Sequence, residues 1–357
     1  MKKLFALLLA ISMMIGLISC GNDTASNSGN ASSEGTTSSV PTGTGDAEYT
    51  IRYSHGNSEG SLVYMVAEHF AQTLQEKTNG RIAVEIYPSG QLSSGDDEAM
   101  LNLMENVYEM SPSAPSSLAK YSSLPEFNIL DFPYMFDSVD QSQEFIQSDL
   151  WKELEQRFEE TTNVHPLFWY STGSNAVGNS KHAVESPADL NGLKLRAAQS
   201  DYFVETLSVM GASPIAMAFG ETFTAVQQGT VDGIMTPFVN FWKEGFYEVT
   251  PYVTQLQSSE FYHCLMISSD YYNSLPEDLR ILFDEAVEET RTYALDLGKE
   301  FEEVTVPENL KELGTHLVQL TDEQKEAFKE ATAPARDKLK DSVGTEFYNS
   351  VVNFLES

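Results

Sequence analysis

Cysteine is nearly absent from this 357-residue chain: only Cys20 and Cys264 occur, and no Cys-x-x-Cys pair offers redox or zinc chemistry. Basic side chains are scarce. The 21 Lys and Arg stand against 53 Asp and Glu, a formal net charge of −32 that argues against nucleic acid or an anionic membrane surface as partner. The six histidines include no His-x-x-x-His pair, and no Gly-x-Ser-x-Gly elbow, phosphate loop or EF-hand loop is found. Carboxylate pairs abound, but at this acid content a solvated surface accounts for them. Catalysis, cofactors and bound metal are therefore not expected. After the first nineteen residues no apolar run reaches eighteen, so no membrane span is expected either.

What is present begins with an export signal. Lys2 and Lys3 precede an uncharged apolar run from Leu4 to Leu17, and Leu17-Ile-Ser-Cys20 fits a lipobox, in which the cysteine is acylated and becomes the new N-terminus. Residues 1–19 read as a lipoprotein signal peptide and Cys20 as a lipid anchor, on the outer side of the cytoplasmic membrane or in the periplasm. The mature balance is then 19 basic against 53 acidic side chains, or −34. Cys264, in the apolar run Cys264-Leu-Met-Ile267, is left as a buried small hydrophobe with no thiol partner. Residues 20–47 are dominated by Ser, Gly, Thr, Asn and Ala, which bury too little surface to offset their ordering entropy, and read as a flexible tether. About 310 residues remain, enough for two domains.

Tyr49–Tyr53 alternates as a strand and His55 lies in the loop after it, where a pocket residue belongs. A helical stripe of Leu62, Val66, Phe70 and Leu74 runs through Ser61–Lys77 and stops at Thr78-Asn-Gly80. A strand over Arg81–Tyr87 and a helix over Asp96–Val107 follow, a strand–helix order that predicts an α/β domain. Val164–Tyr170 is strand-like, and Trp169 and Tyr170 could form a stacking wall. Ser171–Asn175 reads as a crossing into a second domain, where strand and helix signals repeat. A long helix opens near Ser274 and runs to about Val306, before Pro307; at about 45 Å it could join two domains. Thr321–Ser357 reads as peripheral amphipathic helices.

One segment concentrates the chemistry. In Leu193-Lys-Leu-Arg196 apolar and basic residues alternate, predicting a short strand that delivers a guanidinium to its C-terminal end, where open α/β sheets bind ligands. A guanidinium fork matches a carboxylate with two charge-assisted hydrogen bonds. Arg196 is therefore the expected anchor of a small organic anion.

Six motifs together carry a family resemblance: Lys77-Thr-Asn-Gly-Arg81, Tyr87-Pro-Ser-Gly-Gln-Leu92, Asp131-Phe-Pro-Tyr-Met-Phe136, Pro187-Ala-Asp-Leu-Asn-Gly-Leu-Lys-Leu-Arg196, the block Gly211–Phe219, and Gly229-Thr-Val-Asp-Gly233. In order and spacing the chain resembles the DctP-like solute-binding proteins of tripartite ATP-independent periplasmic (TRAP) transporters over residues 48 to 340. The resemblance implies a type II periplasmic-binding-protein-like fold, two α/β domains around a ligand cleft with a long bracing helix. The expected division is 48–172 with 262–301 as domain I, and 173–261 with 302–357 as domain II. It implies closure over an organic acid, with delivery to a sodium-coupled TRAP membrane permease.

In such proteins the Arg of the Gly-Leu-Lys-Leu-Arg motif, here Arg196, clamps the ligand carboxylate, and the aromatic of Met-Ala-Phe, here Phe219, packs beside it. Asp97 and Ser113 are candidate contacts by family position. The chain departs from the pattern where Asn175 replaces a second Arg and Thr236 replaces an Asn. One fewer cation shifts the expected ligand from a dicarboxylate to a monocarboxylate with an apolar or hydroxylated body. A receptor serving a membrane sensor, or an exported hydrolase using carboxylates, are the alternatives.

Overall fold

The computed structural model describes residues 47–93 and 95–356; the leader, Cys20 and the tether up to residue 46 lie outside the described residues. Strand β1 (Tyr49–Ser54) buries Ile51 and Tyr53 and pairs in parallel with β2 (Ile82–Tyr87). Between them runs α1 (Leu62–Lys77), whose N-cap Ser61 Oγ accepts the Tyr64 N–H at 3.2 Å. Its whole apolar stripe is buried, and Asn79 and Gly80, both left-handed at φ 50 and 78, turn the chain out of it. Helix α2 (Asp96–Met104) stops short of the expected Val107 because Asn106 turns left-handed. Strand β3 (Met110–Ser113) and helices α3 (Pro115–Ser122), α4 (Val139–Ile146) and α5 (Asp149–Thr162) complete this first lobe.

Strand β4 (Val164–Asn179) then leads to β5 (Lys194–Ala197), α6 (Asp201–Val209), β6 (Ser213–Ala216), α7 (Phe219–Gln227), β7 (Gly233–Pro237) and the short α8 (Asn240–Lys243). These form a second lobe, in which β5 lies parallel to β6 and β7. The chain returns along β8 (Tyr252–Ser268). It ends with α9 (Ser269–Ser274), α10 (Glu277–Glu300), α11 (Val306–Glu312), β9 (His316–Gln319), α12 (Asp322–Leu339) and α13 (Thr345–Leu355).

The strands form one sheet in the order β2-β1-β3-β8-β4-β7-β5-β6, with β9 beside β8. Two parallel groups are thus joined by the antiparallel pair of β4 and β8, 16 and 17 residues long. Through Ser171–Asn175, the segment read as a crossing, β4 continues as strand, with register irregularities against β8 between Ser171 and Ala176. Backbone pairing to β8 continues where the Ser-Thr-Gly-Ser composition alone suggests a break.

The long helix departs from expectation. Helix α10 ends at Glu300, residues Phe301–Thr305 form a π-helical turn, and α11 carries Pro307 in its first turn. Proline lacks the N–H that would close the preceding turn and its ring crowds the carbonyl four residues back, so the widened turn lets the helical path continue where an α-helix could not. Helix α10 braces the sheet: Phe283 meets Phe70 of α1 at 5.6 Å, and Gly298 lies against the Ser171 carbonyl of β4, where a Cβ would stand 3.2 Å away. Helix α12 is more than peripheral. Phe328 belongs to the buried cluster that holds Val177 and Leu195 of the second lobe, and Ala335 and Leu339 belong to the one that holds Phe127 and Trp151 of the first.

Candidate functional site

Strand β5 alternates as its sequence predicts. Leu195 joins Val177 and Met235 in the core under α6, and Arg196 shares the other face with Ile234, its partner on β7. The same face carries Thr236 and Ala176, which pair across β7 and β4. Arg196 is only 5 % exposed. Its Nε donates to the Met217 carbonyl at 3.0 Å, and its guanidinium carbon lies 5.6 Å from the centre of the Phe219 ring. It makes no ion pair among the described residues, in a chain with 53 acids. Burial alone depresses its pKa to about 10, so it stays cationic at neutral pH. Phe219 starts α7 and is itself held edge-on by Phe246 at 5.7 Å.

Thr236 Oγ1 accepts from Asn240 Nδ2 at 3.0 Å. Asn175 gives its amide N–H groups to Ser259 at 2.5 Å and to Ser258 at 3.4 Å, while its Oδ1 stays buried without a partner.

The first lobe contributes a polar half built around an uncharged histidine. His55, just past β1, is 2 % exposed, and neither ring nitrogen has a hydrogen-bond partner; the Asn57 backbone lies beside the ring without a well-formed bond. Burial, reinforced by His263, lowers its pKa to about 4 and keeps it uncharged. The ring sits edge-on to Tyr53 at 6.1 Å and Tyr64 at 5.8 Å. Tyr170 stacks on His263 at 5.9 Å. The Tyr53 and Tyr170 hydroxyls lie near one another yet neither makes a hydrogen bond of ordinary geometry, and His263 Nδ1 is also unpartnered. Five buried polar atoms without partners in one neighbourhood are unusual, since each costs about 1–3 kcal/mol unless something supplies the missing bond.

The remaining sequence-predicted residues fall elsewhere. Trp169 lies in the core, stacked on Phe127 at 5.9 Å and edge-on to Trp151 at 5.2 Å, with its indole N–H on Glu155 at 2.6 Å. Tyr170, next along β4, takes the opposite face. Asp97 is exposed, paired with Lys120 and accepting from Ser117 Oγ at 3.0 Å. Its neighbour Asp96 turns its carboxyl inward, where burial and the charge of Asp97 raise the pKa to about 6. Ser113 is buried at the end of β3, its Oγ donating to the Asp96 carbonyl at 3.4 Å. Sequence reasoning missed Asp96, Tyr53, His263 and Asn240. Helical phase could have distinguished Asp96 from Asp97; the others carry no local signal.

Glu244, after α8, faces Asn57 and Ser58 of the loop that carries His55, so the two halves approach one another across the crevice at the strands' C-terminal ends. Among the described residues no three His, Cys, Asp or Glu gather to hold a metal, and no helix is long and apolar enough to cross a membrane.

A family model described as bacterial extracellular solute-binding protein, family 7, matches residues 53–342. The chain is 27 % identical over 299 residues to the C4-dicarboxylate-binding periplasmic protein DctP of Rhodobacter capsulatus, covering 83 % of this chain and 88 % of that one. Among solved structures, the sugar acid binding protein of Advenella mimigardefordensis in complex with galactonate superposes with a TM-score of 0.81 at 24 % identity, covering 87 % of this chain and 99 % of that one. A TRAP periplasmic solute-binding protein of Sulfurospirillum deleyianum with bound succinate gives 0.78 at 26 % identity, covering 85 % and 98 %.

Proposed function

This chain belongs to the bacterial extracellular solute-binding proteins of family 7, the receptors of TRAP transporters, and from that premise we propose that it captures a monocarboxylic acid with a hydroxylated body. The family binds small organic acids outside the cytoplasm and works with membrane permease subunits; its members are receptors, not enzymes.

The observation that carries the reading is Arg196, a buried cation with no carboxylate of its own. A ligand carboxylate entering the crevice supplies that counter-charge, with Phe219 fixing the plane of the guanidinium. Closure of the lobes excludes water and strengthens the pair. His55, Tyr170 and His263 offer unpartnered donors and acceptors to hydroxyl groups on the ligand body. A second carboxylate would meet Asp96 there and, with Asn175 in place of a second Arg, no cation. Galactonate, bound by one relative, fits this division better than succinate, bound by another. On the same reading the chain passes between lobes at 172/173, 261/262 and 301/302, Cys20 tethers the receptor by lipid, and the permease is sodium-coupled.

Thermal unfolding against a panel of sugar acids, dicarboxylates and the neutral amides of the same acids tests the proposal. A ligand at 1,000 times its Kd adds about 4 kcal/mol to stability. Stabilisation by a hydroxylated monocarboxylate and not by its amide is the expected result. Stabilisation by dicarboxylates in preference, or by neutral sugars alone, would overturn it.

A further inference from the structure

The point where β4 and β8 cross between the lobes holds two half-buried carboxylates that take no part in the proposed ligand contacts. Glu302 projects from the π-helical turn that follows α10. It accepts from Ser174 Oγ, from Gln255 Nε2 at 2.5 Å and from the Ser174 backbone N–H at 3.3 Å. One side chain thereby ties the bracing helix to both crossing strands, at the place where their register is irregular. Glycine at 173 permits this: its φ is 109, and a Cβ there would stand 3.0 Å from Glu302 Oε2. Glu260, which pairs with Ser174 across the strands, accepts only Ser171 Oγ, at 2.5 Å.

Both carboxylates line the same two adjoining cavities, of about 240 and 220 Å³. Other charged or titratable groups face these cavities from every neighbouring element. They are Asp137 before α4, Asp140 on α4, Tyr262 on β8, and Asp296, Lys299 and Glu303 around the end of α10. Lys299, the one cation among them, is taken by Asp140 at 2.6 Å. No cation is therefore left for the Glu260–Glu302 pair. Burial raises both acids above the usual carboxylate range, Glu260 further because Glu302's charge adds to it. With three donors aimed at Glu302 and one at Glu260, the ionised member is Glu302 and the proton rests on Glu260.

We propose that this single proton is a conformational latch: held by Glu260, it keeps the β4–β8 crossing closed around Glu302, and its loss to solvent sets two carboxylates against each other and loosens the crossing. The sign follows from linkage. Opening the crossing lets Glu260 ionise, so opening releases a proton and becomes easier as pH rises, by up to about tenfold per pH unit until the closed form has itself ionised.

Hydrogen exchange on the full chain, corrected for intrinsic amide rates, reads this without any ligand, so its outcome is independent of the Arg196 assignment. Protection of amides 171–176 and 255–260, Ser174 above all, is expected to fall between pH 6 and 8 and level off above, while β5 and β6 stay unchanged. Glu260→Gln should keep the protection and remove the slope. A flat wild-type profile, or an unchanged slope in Glu260→Gln, would overturn the latch. Should that variant not fold, Glu302→Gln serves: without its charged neighbour Glu260 titrates lower, and the loss of protection moves to lower pH. An unmoved window there is equally fatal to the idea.

Discussion

Replacing Arg196 with methionine should make the empty receptor more stable and the loaded one fail. In the folded chain the guanidinium is almost wholly buried, and depression of its pKa from 12.5 to about 10 corresponds to roughly 3 kcal/mol of lost charge solvation. The sign is that of a cation penalised by folding. The penalty is fully present at neutral pH and is relieved only as pH rises through 10. Methionine has similar length, fills the same space and carries no charge. It forfeits the bond to the Met217 carbonyl, about 1 kcal/mol, leaving a net gain of about 2 kcal/mol. For a folded part of about 310 residues that is a midpoint rise of roughly 3 °C. Binding moves the other way. A ligand carboxylate left without its cation costs about 2–5 kcal/mol, a loss of roughly 30- to 5,000-fold in affinity. Scanning calorimetry of the ligand-free variant and titration calorimetry with the best acid from the panel measure the two halves. A variant that is less stable when empty and binds as before would show that Arg196 serves the fold and not the ligand.

Other substitutions test other parts of the reasoning. Asp131 is buried with no counter-charge and burial raises its pKa to about 8, so stability should fall as pH rises from about 4 to 8; Asp131→Asn should flatten that slope and gain up to about 5 kcal/mol at pH 8, read from denaturant midpoints across pH. His55→Phe removes two unpartnered buried nitrogens and should raise stability by about 1–2 kcal/mol while weakening a hydroxylated acid more than its deoxy analogue, measured by calorimetry. Gly233→Ala would place a Cβ 2.0 Å from the Gly178 carbonyl oxygen, a backbone atom that cannot swing aside, and should cost about 3 kcal/mol or more; a loss below about 1 kcal/mol by chemical denaturation would refute the close approach of β4 and β7.

Legibility in the sequence followed the range of each signal. The α1 stripe, the Leu193–Arg196 alternation and the stop at Asn79–Gly80 are local, and the structure places them within a residue or two of expectation. Arg196 stood out because an alternating strand and a fork-shaped cation are both written in four residues. Strand β8 stayed largely hidden: apart from Cys264–Ile267 it mixes buried Val253, Leu256 and Tyr262 with buried Thr254, Gln255 and Ser258, whose partners are distant in the chain. The polar half of the site was invisible for the same reason. Tyr170 and His263 meet across β4 and β8, some ninety positions apart, and no window of sequence contains both. Pro307 misled because proline alone says where an α-helix must yield, not that a π turn will carry the path onward.

The antiparallel pairing of β3 with β8 has a consequence for how the chain folds. Met110 must find Ile267 and Ser113 must find Cys264, about 150 residues further on. Closing an unstructured loop of that length costs on the order of 4–5 kcal/mol of chain entropy. About two thirds of that loop runs from β4 to β8, which can pair with its own near neighbours first and draw its ends together. The lobe that begins the chain is therefore the last to be completed. A nascent chain halted before Cys264 presents β3 as a bare edge with four unfilled register positions, a template for the wrong partner until its distant one arrives.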